Sequence, residues 1–447
     1  MELIPNPPEA VRWISSTLEK AGFNTWVVGG AIRNLLLGLP AGDWDLATRA
    51  NPEDIMTIFP RTVPIGIDHG TVGVLDKNGT LYEVTTFRRD IKTFGRRAIV
   101  EFSETIEEDL LRRDFTFNSI AWHPLTGDFL DPNNGILDIE NCTLQTVGSP
   151  AERFSEDFLR VLRALRFSGQ FGFTIDEETW EALCHSVSEL HVLSAERIQE
   201  ELMKILSKSE KPSESLQLYA SSGVIKKLYP ELLGDVATED FSFLNKTFIA
   251  CDIESSDLPL VRLAILLSPI ALGRSGEASE VRDIVVQLLS RLRFSNAEIK
   301  HVSTLVSNRT MGIPHEESLD IRYWLYRTGP TFFPDLARIW LAEVSAGIDP
   351  SGSYDSLSVN SVEKCIEAIK DVLKNKPPLA ISDLAFNGDH LQDLGVNPGP
   401  MFGDILNYLL EHVIEYPEAN TKANLEELVL KSDFLSEVIK IDHENHE

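Results

Sequence analysis

Two carboxylates one residue apart, in Asp43-Trp44-Asp45, follow a Gly29-Gly30-Ala31-Ile32-Arg33 run. If the acidic pair lies on a strand, alternation puts both carboxylates on one face and Trp44 on the other. Such a pair can hold divalent ions, and two ions clamp the attacking and leaving oxygens of an in-line displacement at phosphorus. Mg²⁺ suits them, as a hard cation bound by few carboxylates plus substrate phosphates. The glycines allow close backbone approach, and a helix starting after them presents free N–H groups to an anion. Arg33 adds a charge-assisted donor for phosphate. The plainer alternatives are a tight turn at the glycines and a solvated turn at the aspartates; their succession favours the metal reading.

Further polar residues fall in three places. Glu83, in Leu81-Tyr82-Glu83-Val84-Thr85-Thr86-Phe87, completes the metal site or acts as a base if its strand lies beside that of Asp43 and Asp45. Otherwise it is an outward-facing strand carboxylate. Arg112-Arg113-Asp114-Phe115-Thr116-Phe117-Asn118 is a polar cluster beside Ile120-Ala121-Trp122. There Arg113 either pairs with Asp114 or Asp109, or contacts ribose or phosphate while Asn118 orients a neighbour. The segment from Glu156 to Phe167 reads as one helix. Positions three apart are neighbours on a helix, so Asp157, Arg160, Arg163 and Arg166 form one polar stripe, with Phe158, Leu162 and Leu165 packing away. An exposed helix with ordinary salt bridges is the alternative.

The elements that must position these residues alternate at first. Helical spacing over Glu9 to Ala21 (Val11, Ile14, Leu18) precedes a strand at Trp26-Val27-Val28. A helix from Ala31 to Leu37 is stopped by Gly38 and Pro40, and a strand follows at Trp44-Asp45-Leu46. Thr71 to Leu75 and Leu81 to Phe87 form a hairpin around Lys77-Asn78-Gly79. From about Phe154 helical periodicity persists nearly to the end. The fold class is α+β: a mixed α/β head on a long helical body, with Lys376-Pro377-Pro378 as a linker before the last helices.

Composition sets the bounds. The 447 residues are 43% hydrophobic and 25% charged, an ordinary globular balance that excludes a disordered chain or a disulfide scaffold. No apolar run is long enough for a membrane span; Leu263 to Leu272 is interrupted by Ser268 and Pro269. Cys142, Cys184, Cys251 and Cys365 form no CxxC pair and fit free thiols, and Met1-Glu2-Leu3-Ile4-Pro5 has no secretory character, so a cytoplasmic location is expected. The net charge of −28 speaks against a polyanionic partner, but a polyanion responds to the local field. If RNA binds, it touches two basic islands: Arg88, Arg89, Lys92, Arg96 and Arg97, and Arg153, Arg160, Arg163 and Arg166.

The order and spacing of these motifs resemble the class II tRNA nucleotidyltransferase and bacterial poly(A) polymerase family. Asp131-Pro132-x-x-Gly135-x-x-Asp138 and Glu196-Arg197-Ile198-Gln199-Glu200-Glu201-Leu202 add to the likeness. The resemblance implies a nucleotidyltransferase head at 1–140, a helical neck with a base-reading helix at 141–215, a body at 216–375 and a tRNA-binding tail at 376–447. It makes Asp43 and Asp45 the Mg²⁺ ligands, Gly29, Gly30 and Arg33 triphosphate contacts, and Arg113 a ribose or phosphate contact near Asn118. Asp157 and Arg160 become base readers, and Arg163 and Arg166 further nucleotide contacts. The substrates implied are CTP, ATP and the 3′ end of tRNA, with no membrane partner.

The chemistry of base reading agrees. A carboxylate only accepts hydrogen bonds and a guanidinium only donates them. Asp157 can accept from the amino group of cytosine or adenine while Arg160 donates to the adjacent ring nitrogen (and to cytosine O2). Uracil and guanine present the inverse pattern and leave both residues mispaired. Among activities in the family, the resemblance ties CC-only addition to a shortened loop before the Arg-Arg-Asp segment, whereas Arg88 to Phe102 is intact here. Poly(A) polymerases of this type end in a basic extension, unlike Lys440 to Glu447. The stretches Ile381 to Leu391 and Leu394 to Pro400 resemble the tRNA-type tail. CCA addition leads, A-only addition is second, and a non-catalytic tRNA-binding protein is the rival from outside enzymes.

Overall fold

The computed structural model describes residues 6–94, 97–234, 242–272, 278–349 and 357–432. The chain forms two compact units, Met1–Leu233 and Gly234–Glu447. The first unit carries the sheet. Helix α1 (Glu9–Lys20) buries Val11, Ile14 and Leu18 on one face, as their spacing requires. Then come β1 (Thr25–Val28), α2 (Gly30–Leu36), β2 (Asp45–Thr48), α3 (Pro52–Ile58), β3 (Thr62–Gly66), β4 (Thr71–Leu75) and β5 (Leu81–Thr86). A separate hairpin follows, β6 (Arg88–Phe94) with β7 (Arg97–Phe102). Helix α4 (Ile106–Leu111), β8 (Ala121–Trp122) and β9 (Phe129–Leu130) complete the head.

The main sheet runs in the order β3-β4-β5-β2-β1-β8-β9. Within it β2 and β5 are parallel, with Leu46 opposite Val84, whereas β1 lies antiparallel to β2 with Val28 opposite Asp45. The expected hairpin is present as β4 and β5, and Asp76 Oδ1 ties its turn by accepting from the Asn78 and Thr80 N–H groups. The stretch from Arg88 to Phe102 is a hairpin rather than a loop.

Helix α5 (Gly135–Glu140) begins where Asp131 accepts from the Gly135 and Ile136 N–H groups. A Cβ on Gly135 would collide with the Thr116 carbonyl, so this glycine lets α5 lie directly on the segment after Asp114. The strands β10 (Thr143–Leu144) and β11 (Thr174–Ile175) pair in parallel. Around them pack α6 (Pro150–Glu156), α7 (Leu159–Phe171), α8 (Glu177–Ser186), α9 (Ala195–Lys208) and α10 (Pro212–Ser221).

The expectation of one helix through Glu156 to Phe167 is corrected here. The chain breaks at Asp157, which is extended (φ −152°, ψ 103°) between α6 and α7. Nor do Arg160, Arg163 and Arg166 share a face. Each step of three residues falls about 60° short of a full turn, so two steps rotate Arg166 about 120° away from Arg160.

The second unit is helical throughout its described residues, with its own buried clusters, one of them built from Phe386, Leu391, Ile405, Leu409 and Val413. Pro377 and Pro378 lie in a connection between helices within this unit. The four cysteines are unpaired, and among the described residues no helix is long and apolar enough to cross a membrane.

Candidate active site

A cleft of about 440 Å³ opens in the first unit, within the range of small-ligand pockets. Its walls include Asp45 and Glu83 from the sheet, Arg112, Arg113 and Asp114 after α4, Asp157 from the break between α6 and α7, and Arg160, Arg163 and Arg197 from the helices beyond. The parallel register sets the acidic edge. Asp45 precedes Leu46 as Glu83 precedes Val84, so the two carboxylates are neighbours across β2 and β5. Asp43 is not on the strand. β1 leaves the sheet at Gly29, so pairing ends at Val28 and Asp45, and Asp43 lies in the exposed loop before β2. The expected strand alternation of the two aspartates therefore does not apply.

Gly29 sits at φ +77°, a left-handed conformation that glycine adopts without strain. A Cβ there would lie 3.3 Å from Arg113 Nη1 and 3.8 Å from Asp45 Oδ2, so the turn brings backbone between cation and carboxylate. Burial, then the negative charges of Glu83 and Asp43 outweighing the Arg113 guanidinium, push the Asp45 carboxyl up to about 6. Ionising Asp45 thus costs more than ionising a free carboxyl, a cost that a cation beside it would relieve, and the all-oxygen donors suit a hard divalent ion. Among the described residues no three His, Cys, Asp or Glu side chains close on one point. Glu83 therefore flanks the aspartates without completing a preformed cage, and a bound ion would keep positions open for substrate phosphates.

The helical wall is an ordered set of ion pairs. Arg197 holds Asp157 with two parallel bonds, Nη1 to Oδ1 at 3.0 Å and Nη2 to Oδ2 at 2.6 Å. Arg160 pairs with Glu156 through Nη1, which also donates to the Arg153 carbonyl at 2.8 Å, while Nη2 donates to the Arg112 carbonyl at 3.3 Å. Arg163 pairs with Asp114 at 2.7 Å. Burial alone would raise the Asp114 carboxyl, but Arg163 and bonds from Asn118 and the Phe115 N–H hold it at about 2. Arg113 pairs with Asp109 at 3.1 Å, the ion pair foreseen as one alternative, and still lines the cleft.

Three of the proposed nucleotide contacts stand behind this wall. Arg33 donates to Asn118 Oδ1 at 2.8 Å and lies over the rings of Phe167 (5.0 Å) and Phe171 (4.7 Å). Burial lowers its pKa to about 10, with Asp114 opposing, so it remains charged at neutral pH. Asn118 is buried and passes the connection on, Nδ2 donating to Asp114 Oδ1 at 2.9 Å. Arg166 is 6% exposed and bonded to Glu201 at 2.6 Å, facing α9 rather than the cleft, because of the helical rotation noted above. The structure thus brings Asp45, Glu83, Arg113, Asp157, Arg160 and Arg163 to one cleft with Gly29 beside them, but not Arg33, Asn118 or Arg166.

Sequence reasoning passed over Arg197 as a site residue, since its partner lies forty residues away and no local spacing links them. The basic island of Arg153, Arg160, Arg163 and Arg166 is paired throughout with carboxylates, Arg153 to Glu156. The side chains of Lys92, Arg96 and Arg97 lie outside the described residues.

Comparison with known proteins fits this geometry. Residues 25–145 match the poly A polymerase head domain, 172–234 the probable RNA and SrmB-binding site of polymerase A, and 280–429 the tRNA nucleotidyltransferase domain 2. The CCA-adding enzyme of Ligilactobacillus salivarius is 32% identical over 419 residues, covering 92% of this chain and 94% of that one. That of Lactiplantibacillus plantarum is 32% identical over 414 residues, covering 92% and 93%. The crystal structure of the Bacillus stearothermophilus CCA-adding enzyme in complex with CTP superposes with a TM-score of 0.74 at 28% identity, covering 99% of this chain and 100% of that one. Nucleotidyltransferases of this type generally depend on a divalent metal. With its acidic edge, its arginine-lined cleft and relatives matched over nearly their whole length, the chain belongs to the family of CCA-adding enzymes.

Proposed function

We propose that this protein adds CMP and AMP from CTP and ATP to the 3′ end of tRNA without a nucleic acid template, building or repairing the CCA terminus and releasing pyrophosphate. The observation that carries the reading is that the acidic edge at Asp45 and the Asp157/Arg160 pair line the same cleft. A triphosphate bound at the edge places its base against the readers. The unpaired cysteines accord with work in a reducing cytoplasm.

Asp43 and Asp45 would hold Mg²⁺, which when bound lowers the pKa of the attacking hydroxyl and stabilises the leaving oxygen. The chain's own residues position the reactants. Gly29 and Gly30 admit the triphosphate close to the backbone, and Arg113 offers its charge at the same turn. Three of the five Arg160 N–H groups are engaged by Glu156 and the Arg153 and Arg112 carbonyls, which leaves two for a base edge. The Arg112 carbonyl, at the end of α4, bolts the reader to the head. Asp157 accepts the exocyclic amino group. A wrong base leaves buried polar groups mispaired, at a cost of about 1–3 kcal/mol each.

The test is incubation with labelled CTP or ATP, Mg²⁺ and tRNA ending before the first C, after C, or after CC. CMP should enter the first two and AMP the third. Incorporation of AMP alone, on the third substrate alone, would establish A-only addition, and tight tRNA binding with no incorporation a protein without catalysis. In the same assay Asp157→Ala and Arg160→Ala should each lower preference for CTP over UTP roughly 10-fold or more. Unchanged preference would remove the pair from base selection.

A further inference from the structure

Asp157 is the one proposed reader not carried on a helix. Its backbone is extended between α6 and α7, so no helical neighbours fix where its carboxylate faces. The orientation comes from α9. Arg197 meets both carboxylate oxygens, at 3.0 and 2.6 Å, and the Leu159 N–H donates to Oδ1 at 3.1 Å. An ionised carboxylate offers about four lone-pair sites, and these donors take three, leaving one on Oδ2. A two-point guanidinium contact also fixes the carboxylate plane, which a point charge does not. One turn further along α9, Glu201 holds Arg166 of α7, so α9 grips the reading segment on both sides of Arg160.

We propose that Arg197 is a positioning residue for base choice: its two-point grip keeps Asp157 an acceptor with a single oriented site, matched to one amino N–H of cytosine or adenine. The inference rests on the reading of Asp157 and Arg160 as base selectors. Arg197 need not touch the nucleotide. Without it only the Leu159 N–H holds the carboxylate, whose plane is no longer fixed, and Arg160, two residues beyond Phe158, becomes an available partner whose remaining donors are then lost to the base.

The test compares Arg197→Met, which keeps the apolar stem, and Arg197→Lys, which keeps the charge without the fork, with Asp157→Ala as control. For each, kcat and KM are measured for CTP, UTP, ATP and GTP on matched tRNA ends. Arg197→Met should lower discrimination of CTP over UTP and of ATP over GTP about 10-fold, with Arg197→Lys between it and the parent. Loss of active protein scales all four substrates alike and does not move these ratios. A fall of roughly threefold or more supports the proposal, and a smaller one, while Asp157→Ala loses discrimination, overturns it. If Asp157→Ala itself discriminates normally, the base-selector reading falls and the role of Arg197 falls with it. Should Arg197→Met not fold, Arg197→Lys is judged by the same threshold.

Discussion

Asp45→Ala should abolish incorporation of both CMP and AMP, lowering single-turnover rates about a thousandfold or more, while tRNA affinity changes little. The reason lies in where the residue stands. Asp45 opens β2 beside Glu83 and below the Gly29 turn, and its charge is opposed by both burial and its acidic neighbours. Such a group is poorly placed to stabilise the fold by itself and well placed to receive a cation. The variant should therefore melt no lower than the parent, and in the absence of nucleotide it can melt higher, since repulsion with Glu83 and Asp43 is gone. Turnover within tenfold of the parent would place the metal elsewhere.

The second large effect falls on stability. Glu201 is 1% exposed and bonded to the 6% exposed Arg166, with Lys204 reaching its other oxygen at 3.0 Å. Burial works against ionising Glu201, and the guanidiniums of Arg166 and Arg163 more than offset it, holding the carboxyl below its usual range. Glu201→Ala leaves Arg166 buried beside Phe167 without its counter-charge, which should cost about 3–5 kcal/mol in urea unfolding. Arg166→Met combined with Glu201→Leu should recover most of that loss, because two apolar groups replace a pair whose attraction was largely balanced by desolvation. A single-variant loss below about 1 kcal/mol would show that water reaches the pair.

The sequence made some of this legible and left the rest hidden for identifiable reasons. Helix α1, the β4–β5 hairpin and the strand holding Glu83 follow from apolar spacing and an Asn-Gly turn, signals local to a few residues. The acidic edge was readable because Asp43 and Asp45 are close in the chain, although strand pairing ends two residues too early to put both on the sheet. Charge spacing at Arg160, Arg163 and Arg166 suggested a common face, but helical rotation and the break at Asp157 divide them among three carboxylates on different elements. The grip of Arg197 on Asp157 and the bond from Arg33 to Asn118 join residues far apart in the chain, which only the folded arrangement brings into register.

One of those long-range connections bears on how the protein can change over generations. Arg33, Asn118, Asp114 and Arg163 form an unbroken run of bonds from the helix after the glycine turn to the helix bearing Arg160. Losing any member strands a desolvated polar partner, so drift at these four positions is possible only as a concerted replacement. Among divergent descendants they should be inherited as a block, even where the bodies and tails around them have been rewritten.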